Sequence, residues 1–426
     1  MHRTYGSTEG YSMKNARHAL IEAALADMND APATTPEVVM EDDSQLPNFP
    51  ESAWRPAFAD YRDAMAGTTE ASNVAHFAAF WSACASTLAR SVCTYAGEVI
   101  YPNVYLCYFG CTGDKKTTAQ RRPINLQLIP SSVKIIQASG STEGVADALK
   151  REDDGPAVAL FAFEEFTSLL ARGRWEGATI LEFFTEAFDC PETWELKYRH
   201  NKVSINLPTL SIIAGTTTEW FWKNARPDDF HGGFGNRFLY LTGTKKAPIP
   251  NPLEPGGAEL QKVREAIREL AVIRPTAVRF SQGAERLWSR FYMDWERTER
   301  SGLYGASVKR IHVYVRKLGM VYAALEGTLP EITVEQLKAA IAVGLYASEC
   351  ARVLVDVQHA AVGRAVGEME RKFLDWLRRH DGAKKRYMQQ TLSKVCGSCE
   401  LFNRTMTNLL RADHIDVQDG KVYLKR

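Results

Sequence analysis

Lys116 and Thr117 stand at the end of a glycine-marked turn, Gly110-Cys-Thr-Gly113-Asp-Lys115, and that turn follows an apolar run, Tyr105-Leu-Cys-Tyr-Phe109. A strand, a curled turn and a Lys-Thr pair opening a helix suit a polyphosphate. Glycines let main-chain N–H groups face the anion, the lysine reaches the outer phosphates, and the hydroxyl ligates Mg²⁺. Gly110, Gly113, Asp114, Lys115, Lys116, Thr117 and Thr118 are therefore candidate binders of a nucleoside triphosphate such as ATP, with Thr117 also a candidate Mg²⁺ ligand. Lys115 occupies the place where such loops ordinarily carry another glycine.

Hydrolysis needs acids that hold the metal and orient water. The apolar run Ala157–Phe163 ends in Glu164 and Glu165. Glu164 stands where an aspartate is usual and would hold the metal indirectly; Glu165 would position or deprotonate the attacking water. Glutamates also suit a helix start for reasons of dipole alone. A further buried-looking run, Leu210-Ser-Ile-Ile-Ala-Gly, ends in Thr216, Thr217 and Thr218, hydroxyls able to touch a terminal phosphate or the water. Gly232-Gly-Phe-Gly-Asn236-Arg237 then sets an arginine at the mouth of the next β-rich run. Such an arginine can stabilise transition-state charge in a neighbouring subunit, or simply make a surface ion pair.

These residues need a sheet to bring them together. Short β-rich runs at Glu98–Ile100, Val104–Phe109, Val133–Gln137, Ala157–Phe163, Thr209–Ala214 and Arg237–Leu241 alternate with helical stretches. That alternation predicts an α/β fold with a mainly parallel sheet covered by helices. A charged pair, Trp194–Arg199 and Lys202–Leu207, reads as a β-hairpin around His200-Asn201. Residues 1–46 read as an acidic, Pro/Thr-bearing flexible leader, and 47–95 as a helical region whose Phe77, Phe80 and Trp81 recur at core spacing. Residues 96–252 form the expected sheet core. Residues 253–360 read as a helical lid, with helices over Ala258–Val272, Ala284–Arg300, Val308–Leu325 and Val334–Val355. Residues 361–426 give three helices, Val366–Arg379, Met388–Val395 and Leu401–Arg411, then a hairpin at Asp419-Gly420, the pattern of a winged helix-turn-helix.

Composition sets bounds. The 426 residues are 45% apolar and 24% charged, as in ordinary globular proteins. No apolar run is long enough to span a bilayer, so no membrane is expected. The eight scattered cysteines suit reduced thiols in a cytoplasm, and Cys396-Gly-Ser-Cys399 lacks a second ligand pair nearby. Net charge is +1, which announces no nucleic-acid partner, yet residues 361–426 carry 14 Lys/Arg against 8 Asp/Glu.

Taken in order, the loop Gly110–Thr118, Phe163-Glu-Glu-Phe166, Pro208–Thr218 and Gly235-Asn-Arg-Phe238 resemble the AAA+-type, helicase-like P-loop ATPases of phages, plasmids and pathogenicity islands, a family often fused to primase domains. Asn236-Arg-Phe238 also resembles the arginine finger of minichromosome-maintenance helicases, and Ser307–Gly319 their lid helix. The resemblance covers roughly residues 50–330. It implies a homo-oligomer, a hexameric ring, in which Arg237 acts across the subunit interface and Arg316 reaches the γ-phosphate. It also implies that the hairpin faces a central channel, where Lys197, Arg199, His200 and Lys202 would grip single-stranded DNA through its phosphates.

In the terminal domain Leu401–Arg411 is the expected recognition helix. Asn403, Arg404, Thr407 and Asn408 would read base edges of duplex DNA, while Lys384, Lys385, Arg386 and Lys421 would bind flanking phosphates. Winged helices also dock proteins. The sequence thus predicts an ATP- and Mg²⁺-dependent DNA motor, a replicative helicase or replication initiator of a mobile element. Two alternatives stay open: a nucleotide-binding initiator or scaffold without efficient hydrolysis, and a defence ATPase.

Overall fold

A computed structural model describes residues 46–137, 141–151, 153, 155–174, 179–198, 201–396, 399–412 and 414–425. The expected leader thus lies almost wholly outside the described residues. Two compact units are present, one ending at Val357 and one beginning at Gln358.

The larger unit is built on five parallel strands: β1 (Tyr105–Phe109), β2 (Lys134–Ile136), β3 (Val158–Phe163), β4 (Thr209–Thr216) and β5 (Leu239–Leu241). Their spatial order is β2-β3-β4-β1-β5, with every pairing parallel. β1 and β4 are buried along their whole length. Unbroken burial is what a parallel strand needs when helices cover both faces, and it explains why these runs are continuously apolar rather than alternating. The chain moves from β1 across the sheet to β2, then returns through β3 and β4 and steps over β1 to β5. With right-handed crossovers, the connections leaving β1 and β4 take opposite faces. Such a switch between neighbouring strands is where open α/β sheets bind ligands.

The helix Asn73–Leu88 is apolar on nearly every side and almost wholly buried, as expected for Phe77, Phe80 and Trp81. Ser72 caps it by accepting from Val74 N at 3.1 Å. It packs against the sheet and against Lys116–Asn125, the helix that follows β1. Helices Gly257–Ala271 and Ile311–Leu325 join the same hydrophobic core. The described N-terminal region, the sheet and the helices after Pro252 are thus held by one continuous core.

Three expectations are corrected. Val99–Ile100 is not part of the parallel sheet; it folds back antiparallel on Val92–Tyr95, because Gly97 takes a left-handed φ of 83° and turns the chain. Arg237 closes a 3₁₀ turn, Gly235–Arg237, ahead of β5 rather than opening the strand. One helix, Val334–Arg379, runs where two were expected, since the chain between Val355 and Val366 holds no proline to stop it. The hairpin is present as Thr193–Tyr198 paired with Asn201–Asn206.

The smaller unit has its own core of Phe373, Trp376, Leu377, Met388, Leu392, Phe402, Met406, Leu409, Ile415 and Val422. Helices Lys385–Cys396 and Cys399–Arg411 precede Ile415–Gln418 and Lys421–Leu424, which pair antiparallel and join Ala383–Lys384 in a three-stranded sheet. Asp419 and Gly420 both have positive φ, 51° and 72°, as a two-residue hairpin turn requires.

Candidate functional site

The chemistry-bearing residues gather at the C-terminal ends of β1, β3 and β4. Register brings the ends level: Phe109 lies opposite Thr216, and Phe163 opposite Ala214. Gly110 N donates to Thr216 O at 3.3 Å, so the first residue of the loop is tied to the end of β4.

The loop curls as its composition predicts. Gly113 has a φ of 89°, and Lys115 takes the left-handed conformation, φ 54° and ψ 28°. Lys115 therefore supplies, with a side chain, the backbone shape that glycine would adopt more cheaply, at a cost of roughly 1–2 kcal/mol. A Cβ at Gly110 would stand 2.7 Å from Asp114 Oδ2, so glycine leaves the Asp114 carboxylate room to lie over the start of the loop. Lys116 opens the next helix and folds back, its Nζ donating to Gly110 O at 3.1 Å and to Cys111 O at 2.6 Å. Burial pulls its ammonium below the usual lysine range, opposed by the attraction of Asp114, Cys111, Glu165 and Glu219. The three carboxylates among these act on one lysine from three parts of the chain. Thr117 is half-buried and Thr118 exposed in the same first turn.

Glu165 and Thr216 meet. Thr216 Oγ1 donates to Glu165 Oε1 at 2.7 Å, and Thr167 supplies its N–H at 3.2 Å and its hydroxyl at 3.0 Å to the same oxygen. Glu165 is thereby held by the helix it caps and by the neighbouring strand. Thr217 serves the next helix instead, where its Oγ1 accepts from Trp220 N at 3.2 Å and caps Thr218–Asn224. Of the threonines expected near the terminal phosphate, Thr216 is the one on the acid. Glu164 turns elsewhere and forms an ion pair with Arg121, so any metal it held would compete with that cation.

Two residues missed by sequence reasoning complete this corner. Gln120 is buried and its Nε2 donates to Phe163 O and Ile213 O, both at 3.0 Å, clamping β3 to β4. It lies four residues after Lys116, on the same helix face, which was the available signal. A Cβ at Gly215 would lie 3.2 Å from Glu164 O and 3.8 Å from Lys116 Cβ, so glycine lets helix and sheet close on each other.

Arg237 is drawn into a different cluster. Its Nη1 donates to Gly233 O at 2.8 Å and its Nη2 to Asp189 Oδ2 at 3.0 Å. Arg316 is seated on aromatic rings, 4.2 Å from the Trp288 centroid and 4.8 Å from that of Phe280, and burial lowers its pKa to about 10. It is Arg310, not Arg316, that shares an acid with Arg237.

Lys197 and Lys202 lie opposite each other in the hairpin strands, while Arg199 and His200 fall outside the described residues. On helix Cys399–Arg411, Asn403, Arg404 and Thr407 are exposed and Asn408 partly so, over buried Phe402, Met406 and Leu409. Leu410 on the same helix is 41% exposed. Lys384, Lys385, Arg386 and Lys421 are exposed as well. Cys84, Cys93, Cys107, Cys111, Cys190 and Cys350 form no disulfide. Gly397 and Ser398 of the Cys-X-X-Cys stretch lie outside the described residues. Among the described residues no helix is long and apolar enough to cross a membrane.

No family model matches the chain, and no curated protein matches it.

Proposed function

We propose that this chain is an ATP- and Mg²⁺-dependent P-loop hydrolase of the AAA+ type that works as an oligomeric DNA motor. The observation that carries the hydrolase reading is the meeting of Glu165 and Thr216 at the level strand ends, beside a turn of glycines and a left-handed Lys115, with Lys116 folded back on the turn's carbonyls. The strand order adds independent support, because β1 and β4 are neighbours whose onward connections run in opposite directions across the sheet.

Bound ATP and Mg²⁺ supply the phosphoryl group to be transferred and the charge that organises it. The loop amides between Cys111 and Lys116 would hold the phosphates, with Lys116 exchanging its contacts on Gly110 and Cys111 carbonyls for phosphate oxygens. Thr117 would be the protein's main ligand to Mg²⁺. Mg²⁺ keeps several waters and phosphate ligands and needs no dedicated cage, and among the described residues no cluster of three or more His, Cys, Asp or Glu is placed to form one. Glu165, oriented by Thr216 and Thr167, would take the proton of the attacking water.

DNA is the proposed track. Supporting it are the Lys197–Lys202 pair beside the hairpin turn, and a terminal unit whose helix Cys399–Arg411 exposes Asn403 and Arg404 and which also exposes Lys384, Lys385, Arg386 and Lys421. We read that unit as a winged helix. A replicative helicase or replication initiator of a mobile element fits both features. The test is phosphate release with and without single-stranded DNA. Wild-type protein is expected to hydrolyse ATP faster with DNA and the Lys116→Ala variant not at all. Equal release by wild type and variant would reject the hydrolase, and release indifferent to DNA would reject the motor.

A further inference from the structure

Gln120 stands on the helix that Lys116 opens, one turn further on and about 6 Å along its axis. It is 6% exposed, and its Nε2 reaches two strands at once, donating to Phe163 O in β3 and Ile213 O in β4 at 3.0 Å each. Those carbonyls lie where the two strands part. Phe163 opposite Ala214 is the last pair of the β3–β4 ladder. Beyond it β4 runs on to Thr216, while the chain leaving β3 turns through Glu164 to Glu165, which caps the next helix. Nothing in the ladder holds the strands past its last pair. One primary amide, with two protons on one nitrogen, ties them together there.

The helix is fitted to this spot at neighbouring positions as well. A Cβ at Gly215 would lie 3.8 Å from Lys116 Cβ and 3.6 Å from Gln120 Oε1, so the helix rests on β4 where that strand has no side chain. Arg121 forms an ion pair with Glu164, which stands between Phe163 and Glu165. Past the clamp the two chains meet again through side chains, where Thr216 Oγ1 donates to Glu165 Oε1 at 2.7 Å. Thr216 follows Ile213, and Glu165 follows Phe163, within three residues. A change in strand separation at Gln120 is therefore passed directly to that contact. Glutamine suits the place: asparagine is one methylene shorter, ionised glutamate has the same shape with acceptors only, and methionine has similar length and no donor.

We propose that Gln120 is a positioning residue for hydrolysis, and that the helical turn from Lys116 to Gln120 is a ruler between the phosphate lysine and the acid. The inference rests on the hydrolase reading above. Lys116 at one end of the turn faces the loop, and Gln120 at the other sets the strand ends from which Glu165 and Thr216 extend. Because both ends of the ruler belong to one rigid element, water held by Glu165 stays in register with phosphate held by Lys116. In-line attack tolerates little error, and a misplacement of about 1 Å costs roughly 100-fold in rate. Gln120 touches neither phosphate nor water in this role; it acts through Thr216 and Glu165.

Full-length variants test the ruler. Phosphate release by wild type, and its loss in Lys116→Ala, is the control for the hydrolase reading; if the control fails, that reading ends and the ruler with it. With the control met, Gln120→Met should lose about tenfold or more in kcat while its affinity for a fluorescent ATP analogue stays within about twofold of wild type. Wild-type kcat overturns the ruler, and so does affinity that falls in step with kcat, the sign of a merely loosened fold. Gln120→Asn keeps a buried amide and should lose severalfold in kcat at unchanged affinity. Should the methionine variant fail to fold, asparagine decides in its place, and wild-type kcat there overturns the ruler. A double variant then separates positioning from general support. In a Thr216→Val background, where the contact on Glu165 is already gone, the Gln120 substitution should cost less than about threefold more. Losses that simply multiply would place Gln120 outside that contact and overturn the proposal.

Discussion

Thr216 and Thr167 place two hydroxyls and a backbone N–H on one oxygen of Glu165, which fixes the carboxylate without neutralising it. Glu165→Gln keeps the shape and removes the proton acceptor. It should retain nucleotide binding, measured by titration with a fluorescent analogue, and lose about 100-fold or more in phosphate release. Turnover near the wild-type rate would remove Glu165 from the reaction. Lys115 supplies a second test at this scale. Because its φ is 54°, Lys115→Gly should fold with unchanged or higher stability and keep turnover, whereas Lys115→Val forces a β-branched side chain into a left-handed backbone. The valine variant should lower the denaturant midpoint and weaken nucleotide binding; valine behaving like glycine would show that the loop does not hold this conformation. The candidate lysine, acids and threonines were legible from type and spacing. Which threonine faces the acid was not, because Thr216 and Thr217 differ only in which side of the strand end they leave. Asp189 and Arg310 were invisible: each is an ordinary charged residue until the fold sets them side by side.

At the level of elements, the apolar runs read as parallel strands were found as such because burial on both faces writes itself into the sequence as an unbroken run. Val99–Ile100 was misplaced because so short a run carries no sign of its partner. The hairpin was legible from alternating charge and apolar positions, and Trp194 now explains its anchorage. Trp194 Nε1 donates to Glu186 Oε2 at 2.7 Å, and its ring centroid lies 4.5 Å from that of Phe183. Replacing Lys197 and Lys202 together with alanine should weaken binding of single-stranded DNA and flatten its salt dependence. Each lost phosphate contact should reduce the slope of log affinity against log salt by about 0.7 in fluorescence anisotropy. An unaltered slope would take the hairpin out of the DNA path.

Across the whole molecule, two hydrophobic cores divide the described chain. Phe402 is fully buried in the smaller one and packs its ring 4.9 Å from that of Phe373. Phe402→Ala should cost that unit about 3–5 kcal/mol. In calorimetry a non-hydrolysable ATP analogue should raise the transition of the larger unit, and the substitution should lower that of the smaller. A substitution that shifted both transitions alike would show that the two units unfold as one. Sequence alone determined which segments can curl into tight turns, lie buried as strands or turn back as hairpins, because those properties depend on neighbours a few residues apart. Only the tertiary structure decided that Glu165 meets Thr216, 51 positions away, and that Asp189 holds Arg310, 121 positions away. Such meetings are set by the order in which strands enter the sheet, and strand order leaves no local trace in the chain.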